Sequence, residues 1–270
     1  MSYKMKDVIL LGQITDKHAK VFDELKKEGS IGEVYIVPVL NKDALIDHFK
    51  LNDSDTNKDV MRTIIKEKYI IVKGKIHTEN FIRPIVELNK FLDGDRLIHC
   101  GVLKNTKTEQ TFILTDAACN LSLITPYDLI SKAIGYATEI YLKCIKEQNE
   151  IYVSLLSAGG ENNRNPNPAF YDWWQENQHK YPEGQLRIEQ LDVSLNKFIR
   201  QQKGISGPVS NVVVVSDINE GNSIWKSLTA LNDNWICGGL LMGSKLPIVL
   251  NSREDTADSL KYSIKLSFLL

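Results

Sequence analysis

Met242-Gly243-Ser244-Lys245-Leu246-Pro247-Ile248-Val249-Leu250-Asn251-Ser252-Arg253-Glu254-Asp255-Thr256-Ala257-Asp258 is the stretch on which the reading of this chain turns. Pro247 suits the first position of a strand, where a missing N–H costs least. Ile248, Val249 and Leu250 are apolar without alternation, as in a strand covered on both faces. Asn251 or Ser252 can then cap the following helix, with Glu254 and Asp255 in its first turn. Arg253 is out of place there, because a cation beside the positive end of a helix is locally unfavourable. A cation, a hydroxyl and unbonded helix-start amides converging on one spot predict an anion site.

Working back from that stretch, the chain alternates strand and helix. Val8 to Gly12 is a short apolar run, and Thr15 to Lys27 places Ala19, Val21, Phe22 and Leu25 at helical spacing. Val34 to Val37 reads as a strand, then come helices over Asn41–Phe49 and from Val60, with a polar loop at Leu51–Lys58 between them. Ile70 to Val72, Thr111 to Thr115, Tyr152 to Leu156 and Val212 to Val215 read as further strands. Helices are expected over Thr78–Phe91, from Thr125-Pro126 to about Lys146, around Trp173 and Trp174, over Asp192–Gln202, after Asp217, and from Asp255 to Leu270. This alternation predicts an α/β fold.

The chemistry-bearing residues gather where these strands end, the place open α/β sheets offer to ligands. Gly74 opens a turn before Thr78, and Arg83 lies just over one helical turn further on. A Thr cap beside a solvated arginine is the simpler reading of that pair. Asp116 follows the strand at Thr115, where turn formation competes with ligand binding. Asp217, Gly221 and Asn222 follow the strand at Val215, and Gly243 precedes the Pro247–Leu250 strand.

Composition narrows the classes. With 270 residues, 43% hydrophobic, the chain can bury a sizeable core and form two modest domains. A net charge of −1 offers no global field for nucleic acid or an anionic membrane, so any basic site must be local. Cys100, Cys119, Cys144 and Cys237 lie far apart and read as thiols of a reducing compartment. Met1 to Asp7 lacks the apolar run of a signal peptide, no stretch is long enough to span a bilayer, and the expected location is cytoplasmic. No G-x-G-x-x-G after a strand, P-loop, H-E-x-x-H or G-x-S-x-G occurs, and no metal site or tightly bound cofactor is expected.

Four spaced motifs carry a resemblance: K-G-x-I-H-T-x-x-x-x-R at Lys73–Arg83, L-T-D-A-A-x-N at Leu114–Asn120, D-I-x-x-G-N at Asp217–Asn222, and G-x-x-x-P-I-V-L-x-S-R-x-D at Gly243–Asp255. From Val72 onward the chain resembles the phosphate acetyltransferase and butyryltransferase family, the phosphotransacylases. The run Ser259–Ser267 is similar to the butyryltransferase branch.

The resemblance implies two α/β domains with a cleft between them, an architecture like that of isocitrate and isopropylmalate dehydrogenases. The first domain would hold residues 1–125 with 247–270 and the second residues 126–246. It implies conversion of acyl-CoA and phosphate to acyl phosphate and CoA by a homodimer whose partners are small molecules, with neither nucleic acid nor membrane. Coenzyme A and phosphate would be substrates. Ser252, Arg253 and Asp255 would be catalytic. Thr78, Arg83, Asp116, Asp217, Gly221, Asn222 and Gly243 would bind substrate or phosphate. Butyryl or branched acyl groups are expected before acetyl. Ser259 stands where the acetyltransferases carry an aspartate, and Ile98 and Gln190 also depart from the pattern. These departures keep a catalytically silent binder of CoA or acyl phosphate as an alternative, beside phosphate acetyltransferase.

Overall fold

The structure, a computed structural model, describes residues 5–37, 68–124, 128–145, 151–156, 168–177, 179, 186–193, 209–230 and 233–270. In chain order the described elements are β1 (Lys6–Leu11), α1 (Asp16–Lys27), β2 (Ile31–Val37), β3 (Tyr69–Lys73), α2 (Thr78–Phe91), β4 (Ile98–Asn105) and β5 (Thr111–Thr115). There follow α3 (Asp128–Ile140), continued by a π turn over Tyr141–Ile145, then β6 (Ile151–Leu156), α4 (Pro168–Asn177), β7 (Leu186–Val193) and β8 (Val212–Val214). The last are α5 (Ile218–Ala230), β9 (Trp235–Met242), β10 (Ile248–Val249) and α6 (Ala257–Ser267).

The chain forms two compact units, residues 1–97 with 237–270, and residues 98–236. The last strand and helix return to the first unit, but the boundaries fall at Leu97 and Cys237 rather than near 125 and 247. The hairpin of β4 and β5 draws residues 98–115 to the second unit, because β5 continues into parallel pairing with β8.

In the first unit the strand order is β2-β1-β3-β10-β9. The pairs β1–β2, β1–β3 and β3–β10 are parallel, and β9 runs antiparallel to β10. The carboxyl ends of β1, β3 and β10 therefore share one edge, which gathers the loops after Leu11, Lys73 and Val249. The cores of β1 and β3 are apolar without alternation, as parallel strands covered on both faces require. On α1, His18, Val21, Phe22 and Leu25 form the buried stripe. Its outer face meets α6 through Lys261, which pairs with Glu24 at 2.8 Å and Glu28 at 2.7 Å, while Lys265 pairs with Glu28 at 2.9 Å.

In the second unit the order is β4-β5-β8-β6-β7, parallel from β5 onward. Val212, Val213 and Val214 are fully buried at its centre. Trp173 packs inside and donates from Nε1 to Ser131 Oγ at 3.2 Å. Three strands, β4, β7 and β9, have no counterpart among the strands expected from sequence, and the helix expected from Asp192 begins instead with two residues of β7. The elements expected at 41–49, 51–58 and 60–67, and the Thr125-Pro126 helix start, lie outside the described residues.

Candidate active site

The three strand-end loops of the first unit enclose a pocket of about 380 Å³ lined by Thr15 to His18, Lys73 to Lys75, Asn251 to Arg253, and Leu260. Four of these residues, Lys17, Lys73, Lys75 and Arg253, are cations. Ser252 and Arg253 therefore line one pocket with three lysines, and the local construction of their loop differs from the sequence reading. Neither Asn251 nor Ser252 caps α6. The cap is Thr256, whose hydroxyl accepts from Ser259 N–H at 3.1 Å. Glu254 and Asp255 thus precede the helix rather than forming its first turn.

Asp255 holds the loop together. Its Oδ2 accepts from Ser252 N–H at 2.7 Å and from Asn251 Nδ2 at 3.0 Å, and the residue is buried. Lys17 fixes the loop from the other side, donating to the carbonyls of Arg253 at 3.0 Å and Asp255 at 2.7 Å. Ser252 Oγ donates to Glu254. The Arg253 side chain is exposed, and among the described residues nothing bonds its guanidinium.

Lys73 ends β3 and is 3% exposed, yet among the described residues nothing bonds its ammonium. Burial, reinforced by the Arg253 cation, pushes its pKa down to about 8. His18 is also buried, and burial lowers its pKa. Thr15 N–H donates to its Nδ1 at 3.3 Å, so Nε2 carries the proton and donates to Lys73 C=O at 3.3 Å. The imidazole is therefore a neutral strut between α1 and β3.

Thr78 and Arg83 do not line this pocket. His77, not Thr78, is the cap of α2, and Arg83 sits on the exposed face of that helix, 3.6 Å from Glu79. Gly243 turns the chain after β9 with a positive φ of 90°, and its carbonyl accepts from Asp95 N–H at 2.8 Å.

In the second unit, Asp116, Asp217, Gly221 and Asn222 come together at the ends of β5 and β8. Asp116 is fully buried and accepts from Ala118 and Cys119 N–H, from Asn120 N–H and Nδ2, and from His99 N–H. Asp217 caps the start of α5, accepting from Asn219 N–H at 2.8 Å and Glu220 N–H at 3.1 Å. Asn222 Nδ2 donates to Ala117 C=O at 3.3 Å. At Gly221 a Cβ would lie 2.5 Å from Asp116 O and 2.9 Å from Ala117 Cα, so the approach of α5 to this turn requires glycine. Each of the four thus has a structural task in one joint.

Sequence reasoning missed Thr15, Lys17, His18, Lys73, Lys75 and Asn251 as pocket residues. The signal for most of them was available, since they follow or end β1 and β3, which are parallel to the strand leading to Ser252 and Arg253. Among the described residues no cluster of His, Cys, Asp or Glu could hold a metal ion, and no helix is long and apolar enough to cross a membrane.

A family model described as phosphate acetyl/butaryl transferase matches residues 59–266. The phosphate acetyltransferase of Rickettsia prowazekii (strain Madrid E) is 30% identical over 205 residues, covering 72% of this chain and 56% of the relative. The phosphate butyryltransferase of Clostridium acetobutylicum is 26% identical over 216 residues, covering 74% and 68% respectively. The match thus spans little more than half the length of the rickettsial protein. Among solved structures, a branched-chain phosphotransacylase from Enterococcus faecalis V583 is similar with a TM-score of 0.66 at 20% identity, covering 97% of this chain and 98% of that one. A phosphotransacetylase from Streptococcus pyogenes has a TM-score of 0.64 at 14% identity, covering 98% and 94%. These two likenesses are of fold.

Proposed function

This chain belongs to the phosphate acetyl/butaryl transferase family, and on that premise we propose that it transfers an acyl group between coenzyme A and phosphate. The observation that carries the reading is the pocket in which Ser252 and Arg253 stand with Lys73 and Lys75. Arg253 offers a planar fork of donors suited to phosphate oxygens, and the neighbouring ammonium groups add charge without geometry. A phosphate oxygen attacks the thioester carbonyl carbon, charge develops on the carbonyl oxygen, the C–S bond breaks, and the thiolate leaves to take a proton. Arg253 and the Ser252 hydroxyl stabilise that developing charge. Asp255 and Lys17 hold the loop from which they act. On this reading Ser252 and Arg253 are the reacting contacts, and Asp116, Asp217, Gly221 and Asn222 build a joint in the second unit.

The preference for butyryl or branched acyl groups over acetyl is part of the proposal, supported by the run Ser259–Ser267 and by the likeness to a relative named phosphate butyryltransferase. A homodimer is supported by the resemblance alone. A second reading, a homologue that binds without turnover, is favoured by one observation. Ser259 is buried and its hydroxyl accepts from Cys237 N–H at 3.0 Å, so it offers no base at the place where the resemblance calls for an aspartate.

Release of CoA from a panel of acyl-CoA thioesters, with and without phosphate and followed by a thiol reagent, decides between these readings. Phosphate-dependent release, fastest with butyryl or branched groups, is expected. CoA binding without release from any thioester overturns the transferase reading in favour of the second.

A further inference from the structure

The transferase reading requires a group that exchanges a proton with the coenzyme A thiol, because the thiolate is both the leaving group and the nucleophile of the reverse reaction. The groups lining the pocket can be taken one by one. The Arg253 guanidinium does not give up its proton in proteins. Lys17 is committed to the carbonyls of Arg253 and Asp255. Both ring nitrogens of His18 are engaged, Nδ1 by Thr15 and Nε2 by Lys73 C=O. Asp16 and Lys75 are exposed to solvent. Asp255 is tied to Ser252 and Asn251 and is not part of the lining.

Lys73 remains, a residue only 3% exposed whose amine has no hydrogen-bond partner among the described residues, in the lining of the same pocket as Ser252 and Arg253. Beside it, Asn251 turns its amide nitrogen to the Asp255 carboxylate and leaves a buried Oδ1 without a partner among the described residues. A buried acceptor and the amine of a buried lysine, both left open at one pocket, are groups that a ligand completes.

We propose that Lys73 is the residue that exchanges the thiol proton, taking it as coenzyme A attacks an acyl phosphate and returning it as a thioester is cleaved. In the reverse direction the S–H bond breaks, the neutral amine becomes an ammonium, and sulfur forms its bond to the acyl carbon as the phosphate leaves. In the forward direction the C–S bond breaks and the ammonium gives its proton to the departing sulfur. The amine returns to its starting state by exchange with water. The inference rests on the transferase reading of the same pocket.

The environment supports this proton traffic. Burial and the cations of Arg253 and Lys17 favour the neutral amine, whereas Glu254 and Asp255 favour the charged one. The balance leaves the group titrating near the thiol it would serve, the condition under which proton transfer is most effective.

The test compares the wild-type chain with Lys73→Arg and Lys73→Met in both directions from about pH 6.5 to 9.5, a window that brackets the ordinary thiol value. Arginine keeps the cation but cannot cycle a proton. The expected result for Lys73→Arg is a fall of about 100-fold in kcat with KM for phosphate within about threefold of wild type. Lys73→Met should lose the same turnover and also raise KM for phosphate. In the wild type, kcat should fall above about pH 8 in the thioester-cleaving direction and rise toward it in the reverse direction, and both limbs should vanish in Lys73→Arg. Activity of Lys73→Arg within about threefold of wild type, with both limbs intact, overturns the proposal.

Where a variant fails to fold, NMR titration of the Lys73 side chain in the wild type replaces it. A midpoint near 8 supports the proposal, and one in the ordinary lysine range, with and without inorganic phosphate, refutes it. If wild-type protein releases no CoA from any thioester, the transferase reading itself fails and takes this inference with it, a result the titration cannot mimic.

Discussion

Replacing Asp116 by Asn separates a structural joint from a ligand contact. The Asp116 carboxylate is fully buried, with Oδ1 accepting from Ala118 and Cys119 N–H at 2.8 Å each, and Oδ2 accepting from Asn120 N–H at 3.1 Å, Asn120 Nδ2 at 2.7 Å and His99 N–H at 3.4 Å. An asparagine keeps one oxygen and turns an NH₂ group toward the other set of donors. At least two buried N–H groups lose their acceptor, at about 1–3 kcal/mol each, so a loss of about 4 kcal/mol is expected. That is a large part of the roughly 5–15 kcal/mol that a native protein typically has. Urea unfolding followed by tryptophan fluorescence measures it, since Trp173 and Trp225 are both buried in the second unit. The variant protein that remains folded at low temperature should turn over within a few-fold of wild type. An unchanged midpoint refutes the structural account. A normal midpoint with a loss of more than about 100-fold in kcat/KM would instead make Asp116 a substrate contact.

Arg253→Ala should lower kcat/KM by about 100-fold or more, as expected for one transition-state donor, while leaving the melting temperature unchanged because the side chain is exposed and unbonded among the described residues; equal activity would remove the anion-site argument. Gly221→Ala sets about 1 kcal/mol of helix propensity against a Cβ placed 2.5 Å from Asp116 O, and a net loss of about 1–2 kcal/mol in urea is expected. Glu24 and Glu28 have pKa values lowered chiefly by hydrogen bonds from Lys261, so their contribution is complete above the ordinary glutamate value of 4.5 and is lost as pH falls through the depressed folded values. Glu24→Gln with Glu28→Gln should flatten that acid limb of a melting-temperature profile. Lys73 titrates at about 8 in the folded protein against 10.5 unfolded, so the unfolded chain binds more protons between them and stability should rise by about 1 kcal/mol from pH 8 to 9. Above about pH 9 the buried thiols of Cys100 and Cys237 and the half-buried thiol of Cys144, all pushed up by desolvation, act in the opposite direction, and Lys73→Met should abolish only the rise.

The parallel strands are legible in the sequence because they carry a strong local signal. β1, β3, β5 and β8 are short apolar runs bounded by turn residues, and each lies where its composition places it. β4 is less visible because Ile98-His99-Cys100-Gly101 mixes polar and small residues into a strand whose burial is complete only in context, where Trp225 stacks edge-on against His99 at 5.4 Å. Helix caps are harder still to read. Thr256 outcompetes Asn251 and Ser252 because Asp255 has already tied those two residues into a loop, a set of side-chain bonds that no periodicity displays.

The same reasoning explains why Arg253 stands out in the sequence as a candidate and Lys73 does not. A cation next to acidic residues in a polar turn stands out locally, but a lysine at the end of an apolar strand looks like the strand's first step back into solvent. Its burial depends on α1 and on the loop after β10, which close over it through His18 and Lys17. A lysine so placed is costly to keep charged, and the carboxylates of Glu254 and Asp255 offset that cost only in part. A fold built for stability alone would put an apolar or paired residue there. The presence of an open amine beside Ser252 and Arg253 is therefore the strongest physical reason to place the proton chemistry of the pocket at Lys73.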